Sequence, residues 1–406
     1  MKNVAVLGFG TVGSGVVEVI CENDFTQKAG ESINVKAILE IREFPDSPYN
    51  KLIVNDYEKI LNDTKIDIVV ETMGGVNPAY NFTKMALERG KSVVTSNKEL
   101  VSVHGAELLR IAKENGVNYL FEASVGGGIP IIRPISNCLA ANEITEIMGI
   151  LNGTTNYILT KMIKNGESFE DALADAQAKG YAERNPAADV EGHDTCRKIA
   201  ILSALAYGKH IDSTDIKTEG ITKITLKDVE YAESFDHVIK LIGASKKVGD
   251  KVYAKVGPLM LPRGHALSEV DGVFNAILVK GSATGDVMFY GKGAGKMPTA
   301  SAVVADVIDI VKHKGTGAPF WDEGGELVED SGDDIKLYIR LKATDKQHTE
   351  SSVDAVFGKV KRIESSNDET VFITSASPEA ELNSSIAKLK GLISEDNILS
   401  VIQVLN

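Results

Sequence analysis

The sequence predicts an α/β protein in three parts: a parallel-sheet domain over residues 1–134, a mixed α+β domain over 135–300, and a small βαββαβ domain over 335–406. Three observations carry this. Short apolar runs alternate with amphipathic stretches as far as Pro134, and the cadence changes after Ile135. A Gly-, Asp- and Glu-rich stretch over 316–334, read as a linker, then precedes a new strand and helix rhythm. At 406 residues the chain is also too long for one comfortable hydrophobic core.

In the first part the runs Val4–Leu7, Ile33–Leu39, Ile66–Val70, Ser92–Thr95 and Val117–Phe121 are too short to cross a membrane. They read as strands buried on both faces. Thr83–Arg89 and Ala106–Glu114 between them are helix-like and close at Gly90 and Gly116, which suit helix ends. Strand, helix, strand at this spacing means a parallel sheet. The apolar segment 301–315 is expected to return and pack on this domain.

The second part opens with a strand over Asn142–Ile150 and helices over Tyr157–Asn165, Phe169–Lys179 and Asp194–Tyr207. Alternating runs follow at Ile221–Leu226, Lys251–Leu259 and Gly272–Val279. In the last block the order is strand (Ile335–Lys342), helix (Ser352–Val360), strands (Lys361–Ser365, Thr370–Ser375), helix (Pro378–Leu389) and strand (Ile398–Val404), a split βαβ plan.

Gly8-Phe9-Gly10-Thr11-Val12-Gly13 follows the first strand and opens the helix Ser14–Glu22, the context that the GxGxxG pattern requires. Gly8 permits the tight turn, Gly10 the close approach of a pyrophosphate, and Gly13 the packing of helix on strand. The phosphates would sit on the helix N-terminus, where unpaired N–H groups favour anions. A dinucleotide site on a Rossmann-type sheet is the working conclusion. Its cofactor is NADP or NAD: the second strand ends in Leu39-Glu40-Ile41-Arg42-Glu43, offering an acid for a ribose hydroxyl and an Arg for a 2′-phosphate.

Composition excludes other classes. Hydrophobic residues make up 43% and charged residues 25%, ordinary for a globular chain. A net charge of -13 with no basic run argues against nucleic acid as a partner. No apolar stretch suits a membrane span and the N-terminus has no signal-peptide pattern, so the chain is expected to be soluble and cytoplasmic. Cys21, Cys138 and Cys196 match no metal spacing or disulfide framework.

The richest stretch runs from Gly180 through Glu183, Asp189 and Asp194 to Lys198. Asp194 and Lys198 are four apart and share a helix face. An exposed ion pair is the plain alternative, worth a few tenths of a kcal/mol. The helix continues, however, as Ile199-Ala-Ile-Leu202-Ser-Ala-Leu205, so Lys198 stands at the mouth of a buried helix and suits a proton donor. Glu183, Asp189 and Asp194 supply acceptors for an ammonium-bearing substrate.

The whole run Ala176–Lys198 resembles the signature of homoserine dehydrogenases. So do Asn152-Gly-Thr-Thr-Asn-Tyr-Ile-Leu159, Thr95-Ser-Asn-Lys98, Phe121-Glu-Ala-Ser-Val-Gly-Gly-Gly-Ile-Pro-Ile-Ile132 and Gly293-Ala-Gly-Lys-Met-Pro-Thr-Ala-Ser-Ala-Val303, in order across residues 1–312. The resemblance implies reversible NAD(P)H-dependent reduction of L-aspartate 4-semialdehyde to L-homoserine, on the route to threonine, methionine and isoleucine. It implies Lys198 as proton donor, Lys98 as a second lysine at the cofactor and substrate junction, and Glu183 and Asp194 as ligands of the amino-acid head group. Gly180 and Gly295 match backbone positions that line the cofactor. Glu122, Val125, Gly127 and Ile129 match a site for a monovalent cation, Na⁺, where one carboxylate and backbone carbonyls suit a hard ion; a hinge at Gly126–Gly128 is the plain alternative.

The last block resembles an ACT domain by element order. It departs at Asp345-Lys-Gln-His348, where that family usually carries an Asp-x-Pro-Gly turn. Feedback inhibition by threonine and a ligand-free oligomerisation module are both open, and either implies a homodimer or homotetramer. Two rivals remain: a sensor that binds cofactor without turnover, and a semialdehyde dehydrogenase with Cys138 as nucleophile. The intact lysines count against the first and the missing His partner against the second.

Overall fold

The computed structural model describes residues 1–313, 315 and 319–405. Residue 314 of the expected returning helix, residues 316–318 of the expected linker, and residue 406 of the C-terminal block lie outside them. Along the chain run β1 (Lys2–Leu7), α1 (Thr11–Glu22), α2 (Thr26–Ala29), β2 (Ile33–Leu39), β3 (Ile53–Val54), α3 (Tyr57–Leu61), β4 (Ile68–Glu71), α4 (Ala79–Glu88), β5 (Ser92–Thr95), α5 (Lys98–Glu114) and β6 (Tyr119–Leu120). Then come β7 (Ile144–Ile150), α6 (Gly153–Asn165), α7 (Phe169–Ala178), α8 (Ala187–Val190), α9 (His193–Tyr207), β8 (Lys217–Thr218), α10 (Leu226–Ser234), β9 (His237–Val248), β10 (Lys251–Pro262), β11 (Phe274–Gly281), β12 (Gly285–Lys292) and α11 (Lys296–Lys312). The chain ends with β13 (Leu327–Val328), β14 (Asp334–Lys342), α12 (Lys346–Phe357), β15 (Lys361–Arg362), β16 (Glu369–Ile373), β17 (Ser377–Pro378), α13 (Glu379–Ile393) and β18 (Ile398–Val404).

The chain divides into two compact units. One comprises Met1–Ile147, Arg197–Asp215 and Val279–Glu326; the other comprises Met148–Cys196, Ile216–Leu278 and Leu327–Asn406. In the first, a parallel sheet has the order β3-β2-β1-β4-β5-β6, the doubly wound arrangement of dinucleotide-binding domains. Val4 and Val6 of β1, Val16 and Val17 of α1, and Val303 and Val307 of α11 share one fully buried cluster. Gly15 lets α11 approach α1, since a Cβ added there would lie 3.0 Å from Lys296 Cγ and 3.1 Å from Ala300 Cβ. Helix α5 starts at Lys98, well before its apolar periodicity begins, because Asn97 Oδ1 accepts the Leu100 N–H at 3.1 Å and caps it.

Part of the composition-defined linker is docked in this unit. Trp321 is 1% exposed and meets Phe121 edge to face at 5.4 Å. Its neighbour Asp322 accepts the His210 N–H through its carbonyl at 2.6 Å and donates its own N–H to Gly208.

A second sheet has the strand order β12-β11-β7-β9-β10-β18-β14-β16-β15. Strands β9 and β10 pair antiparallel along their full lengths. Lys240, in the middle of β9, is 1% exposed. Its ammonium is satisfied by the Val270 carbonyl (2.6 Å), Asp271 Oδ1 (3.2 Å) and Asn156 Oδ1 (3.3 Å), as a buried charge requires. The run Ile221–Leu226, expected as a strand, is instead a loop leading into α10. Thr225 and Asp228 form a reciprocal capping box, and the local bonds it offers favour helix initiation. The C-terminal block runs β14, α12, β15, β16, α13, β18, with antiparallel pairing of β14 to β18 and β16 and of β15 to β16. Its helix α12 begins earlier than expected, at Lys346, where Asp345 caps the N-terminus.

Candidate active site

The glycine turn joins β1 to α1 in the first unit. Gly8 has φ +93°, a left-handed conformation that side chains disfavour. A Cβ on Gly13 would stand 2.0 Å from Gly8 O and 2.7 Å from Thr72 Oγ1, so only glycine fits. Gly10 caps α1 and faces open space, and among the described residues no side chain caps that helix. Thr11 and Val12 form its first turn. These features fit a pyrophosphate.

Beside the turn, Glu40 is 8% exposed and saturated with donors. Its Oε2 accepts the Phe9 N–H at 3.1 Å and Arg42 Nη2 at 2.8 Å. Its Oε1 accepts the Ile41 N–H (2.9 Å), the Arg42 N–H (3.1 Å) and Arg42 Nε (3.1 Å). The Arg42 guanidinium and these N–H groups hold the carboxyl down at about 2, against the cost of burial. Arg42 itself is 62% exposed.

Lys98 opens α5 just beyond the C-terminal end of β5. A buried network orders its loop: Thr95 Oγ1 donates to Glu71 Oε2 (2.6 Å) and accepts the Asn97 N–H (2.9 Å). Asn97 Nδ2 donates to Gly75 O (2.6 Å). Burial pushes the Glu71 carboxyl up. An ion pair of 3.5 Å between Glu99 and Arg197 ties the first turn of α5 to α9. Lys198 is 8% exposed. Gly295, with φ +123°, caps α11.

The carboxylates of the signature lie in the second unit. Asp194, 4% exposed, sits one turn before Lys198 on α9. Asn152 Nδ2 bridges Asp189 Oδ1 at 2.7 Å and Asp194 Oδ2 at 2.8 Å, while its Oδ1 accepts the Thr155 N–H at 2.9 Å and caps α6. Thr154 Oγ1 donates to Tyr181 O at 2.6 Å, anchoring the turn that follows Gly180 (φ +73°). Glu183 is exposed, and its carbonyl accepts from Gln177 Nε2 at 3.0 Å. The motif reading missed the bridging role of Asn152. An N-cap signature marks the residue, but only folding sets it between two acids. Asn152→Ala should release both carboxylates and destabilise the second unit by about 1.5–3 kcal/mol, as for other bonds to charged groups. Thermal or denaturant melting checks this, and an unchanged stability would show that Asn152 does not hold the two acids.

The segment expected to hold a cation departs from expectation at its carboxylate. Glu122 is 1% exposed, and Oε1 accepts the N–H groups of Ile131 (2.5 Å) and Ile132 (2.8 Å). Oε2 accepts the Arg133 N–H (2.9 Å) and Nε (3.3 Å). Its lone pairs are thus engaged by the protein, and a cation here would rest on carbonyl oxygens alone. Asp306 closes the network, accepting the Glu122 N–H at 2.8 Å, and burial pushes its carboxyl up to about 8. Val125 and Ile129 are buried, and Gly127 has φ +57°. A Cβ on Gly127 would lie 2.3 Å from Gly293 O. Among the described residues no group of three or more His, Cys, Asp or Glu is placed to hold a metal, and no helix is long and apolar enough to cross a membrane.

The chain matches the family model described as homoserine dehydrogenase over residues 130–308, and the homoserine dehydrogenase NAD-binding domain over residues 8–122. The chain belongs to the homoserine dehydrogenase family. It is similar to the homoserine dehydrogenase of Bacillus subtilis, 41% identical over 367 residues (88% of this chain, 84% of that protein), and to that of Neisseria gonorrhoeae, 34% identical over 426 residues (99% and 98%). The crystal structure of a homoserine dehydrogenase from Thiobacillus denitrificans superposes with a TM-score of 0.89 at 34% identity, covering 100% of this chain and 98% of that one. A hyperthermophilic archaeal homoserine dehydrogenase in complex with NADPH gives 0.65 at 29% identity, covering 76% and 97%. The enzyme is therefore a nicotinamide-dependent oxidoreductase with a Rossmann-like domain and a mixed-sheet catalytic domain.

Proposed function

We propose that Lys198 is the proton donor of the reversible reduction of L-aspartate 4-semialdehyde to L-homoserine, in the biosynthesis of threonine, methionine and isoleucine. The hydride that reaches the aldehyde carbon comes from the reduced nicotinamide. Negative charge then develops on the aldehyde oxygen, and the Lys198 ammonium neutralises it by proton transfer. Lys98 is a second lysine at the junction of cofactor and substrate. Glu183, Asp189 and Asp194 bind the ammonium of the amino-acid head group, the latter two held by Asn152. The observation that carries this reading is the pairing, one turn apart on α9, of buried Asp194 and buried Lys198. The reaction is tested by following reduced-cofactor absorbance with L-homoserine and NAD⁺ or NADP⁺, with and without threonine.

The turn Gly8–Gly13, with Gly180 and Gly295, holds the cofactor, and the preferred form is NADP. Five N–H donors already occupy the Glu40 carboxylate, which has about four lone-pair sites and so nothing left for a ribose diol. The same bonds hold the exposed Arg42 guanidinium one carboxylate away from Phe9 of the glycine turn, where its positive charge suits a 2′-phosphate. Arg42→Ala should lower kcat/KM for NADPH by roughly 10- to 100-fold and leave NADH within about threefold, as loss of a charge-assisted contact predicts. Equal losses with both cofactors would count against it.

The carbonyls of Glu122, Val125, Gly127 and Ile129 are the donors for a monovalent cation, whose role is structural. The C-terminal block is an ACT-like domain, supported by its βαββαβ order. It serves either feedback inhibition by threonine or, without a ligand, the formation of a dimer or tetramer.

A further inference from the structure

Two buried side chains of the second unit direct their polar atoms onto one loop. Asn156, 1% exposed, stands four residues after Asn152 on the same face of α6. Its Nδ2 donates to the carbonyls of Val270 (3.0 Å), Gly272 (3.1 Å) and Phe274 (3.0 Å). Its Oδ1 accepts Lys240 Nζ at 3.3 Å, and that ammonium also donates to Val270 O and Asp271 Oδ1.

Loop 270–274 is thereby drawn against α6. Thr160 Oγ1 accepts the Gly272 N–H at 2.9 Å, and Lys164 pairs with Asp271 at 2.6 Å. At the start of the helix a Cβ on Gly153 would lie 2.8 Å from Val273 O, so the loop rests directly on backbone there.

Stability alone does not account for an ammonium in the middle of β9. Replacing a buried charge by a well-packed apolar side chain of similar volume is often neutral or stabilising. What the ammonium supplies is orientation. An asparagine amide can turn over and exchange its oxygen for its nitrogen, but a lysine only donates. Lys240 therefore admits one orientation of Asn156, with Oδ1 toward itself and Nδ2 toward the three carbonyls. One helical turn earlier, Asn152 caps α6 and bridges Asp189 and Asp194. The Asn152 carbonyl accepts the Asn156 N–H at 3.3 Å and Thr155 Oγ1 at 3.2 Å, so the two asparagines are joined through the first turn.

We propose that Lys240 is a positioning residue for substrate binding: by orienting Asn156 it fixes the first turn of α6, and with it the two acids that receive the ammonium of the amino-acid head group. This rests on the assignment of Asp189 and Asp194 above. In the full-length enzyme, Lys240→Met keeps the volume and removes the donors. The KM for L-homoserine should rise roughly tenfold, the size of a lost hydrogen bond to a charged group. Turnover and cofactor Kd should stay near those of the parent. Asn156→Leu removes the oriented amide from the other side and should give the same rise, so the test does not depend on one variant folding. The double variant should be no worse than the weaker single, because both act through one contact. Tyr338→Phe is the control for general loosening of this unit, since it takes a donor 3.1 Å away from the buried Asp228 carboxylate. It should lower the melting temperature and leave the homoserine KM unchanged. An unchanged homoserine KM in folded Lys240→Met, or an equal rise in Tyr338→Phe, overturns the proposal, as does a parallel loss of cofactor affinity. Asp194→Asn separates the two readings. If its homoserine KM is unchanged, the head-group assignment fails; if it rises while that of Lys240→Met does not, only the positioning role fails.

Discussion

Lys198→Ala should cut turnover roughly 10²–10⁴-fold, the usual contribution of a positioned general acid, or about 2.7–5.4 kcal/mol of barrier at 1.36 kcal/mol per tenfold. The expectation comes from position. Lys198 is 8% exposed on a helix whose preceding turn carries the buried Asp194. Its neighbour Arg197 is pinned to Glu99, next to Lys98. The loss should fall on kcat in both directions of the reaction. Cofactor affinity, read by fluorescence quenching, should stay near that of the parent because the glycine turn is untouched. Cys138→Ser should be nearly silent, since Cys138 is exposed. Full activity in the Lys198 variant would sink the assignment. A cofactor-binding chain with no homoserine-dependent turnover would favour the sensor reading instead.

Trp321→Ala should lower the stability of the first unit by about 3–5 kcal/mol, as for other buried aromatic truncations. That corresponds to roughly 6–20 °C in melting temperature for a unit of this size. Trp321 packs so closely on α5 that a Cβ on Gly105 would lie 2.6 Å from its Cζ2. The indole N–H is buried with no partner among the described residues, so Trp321→Phe should cost much less than alanine. Because this is the only tryptophan, its fluorescence reports this contact alone. Gly105→Ala should displace the ring and move emission to longer wavelength. Unchanged emission with an unchanged melting temperature would show that α5 yields rather than the tryptophan.

Much of the first unit was legible because its signals are local. Strands β2 and β5 fall where their apolar runs predict, and the glycine turn needs only the residues on either side of it. Helix starts were less legible. Asn97, Asn152 and Asp345 each begin a helix earlier than apolar periodicity suggests, because a cap bond acts before the buried face does. Strand β9 escaped periodicity because Lys240 interrupts its apolar run, and only a distant loop supplies the acceptors that make a buried ammonium tolerable.

Family membership and the shared helix face of Asp194 and Lys198 were legible in the sequence, since a helix converts a separation of four into one face. Tertiary structure alone decided that Asn152 would join two acids, that Glu40 would be filled by Arg42, and that Glu122 would serve its own backbone instead of offering its carboxylate to a cation. It also set Trp321, in a stretch whose composition reads as a tether, against α5. Each of these depends on which donors, acceptors and surfaces far apart in sequence meet, and hydrogen-bond saturation and close packing are properties of that meeting.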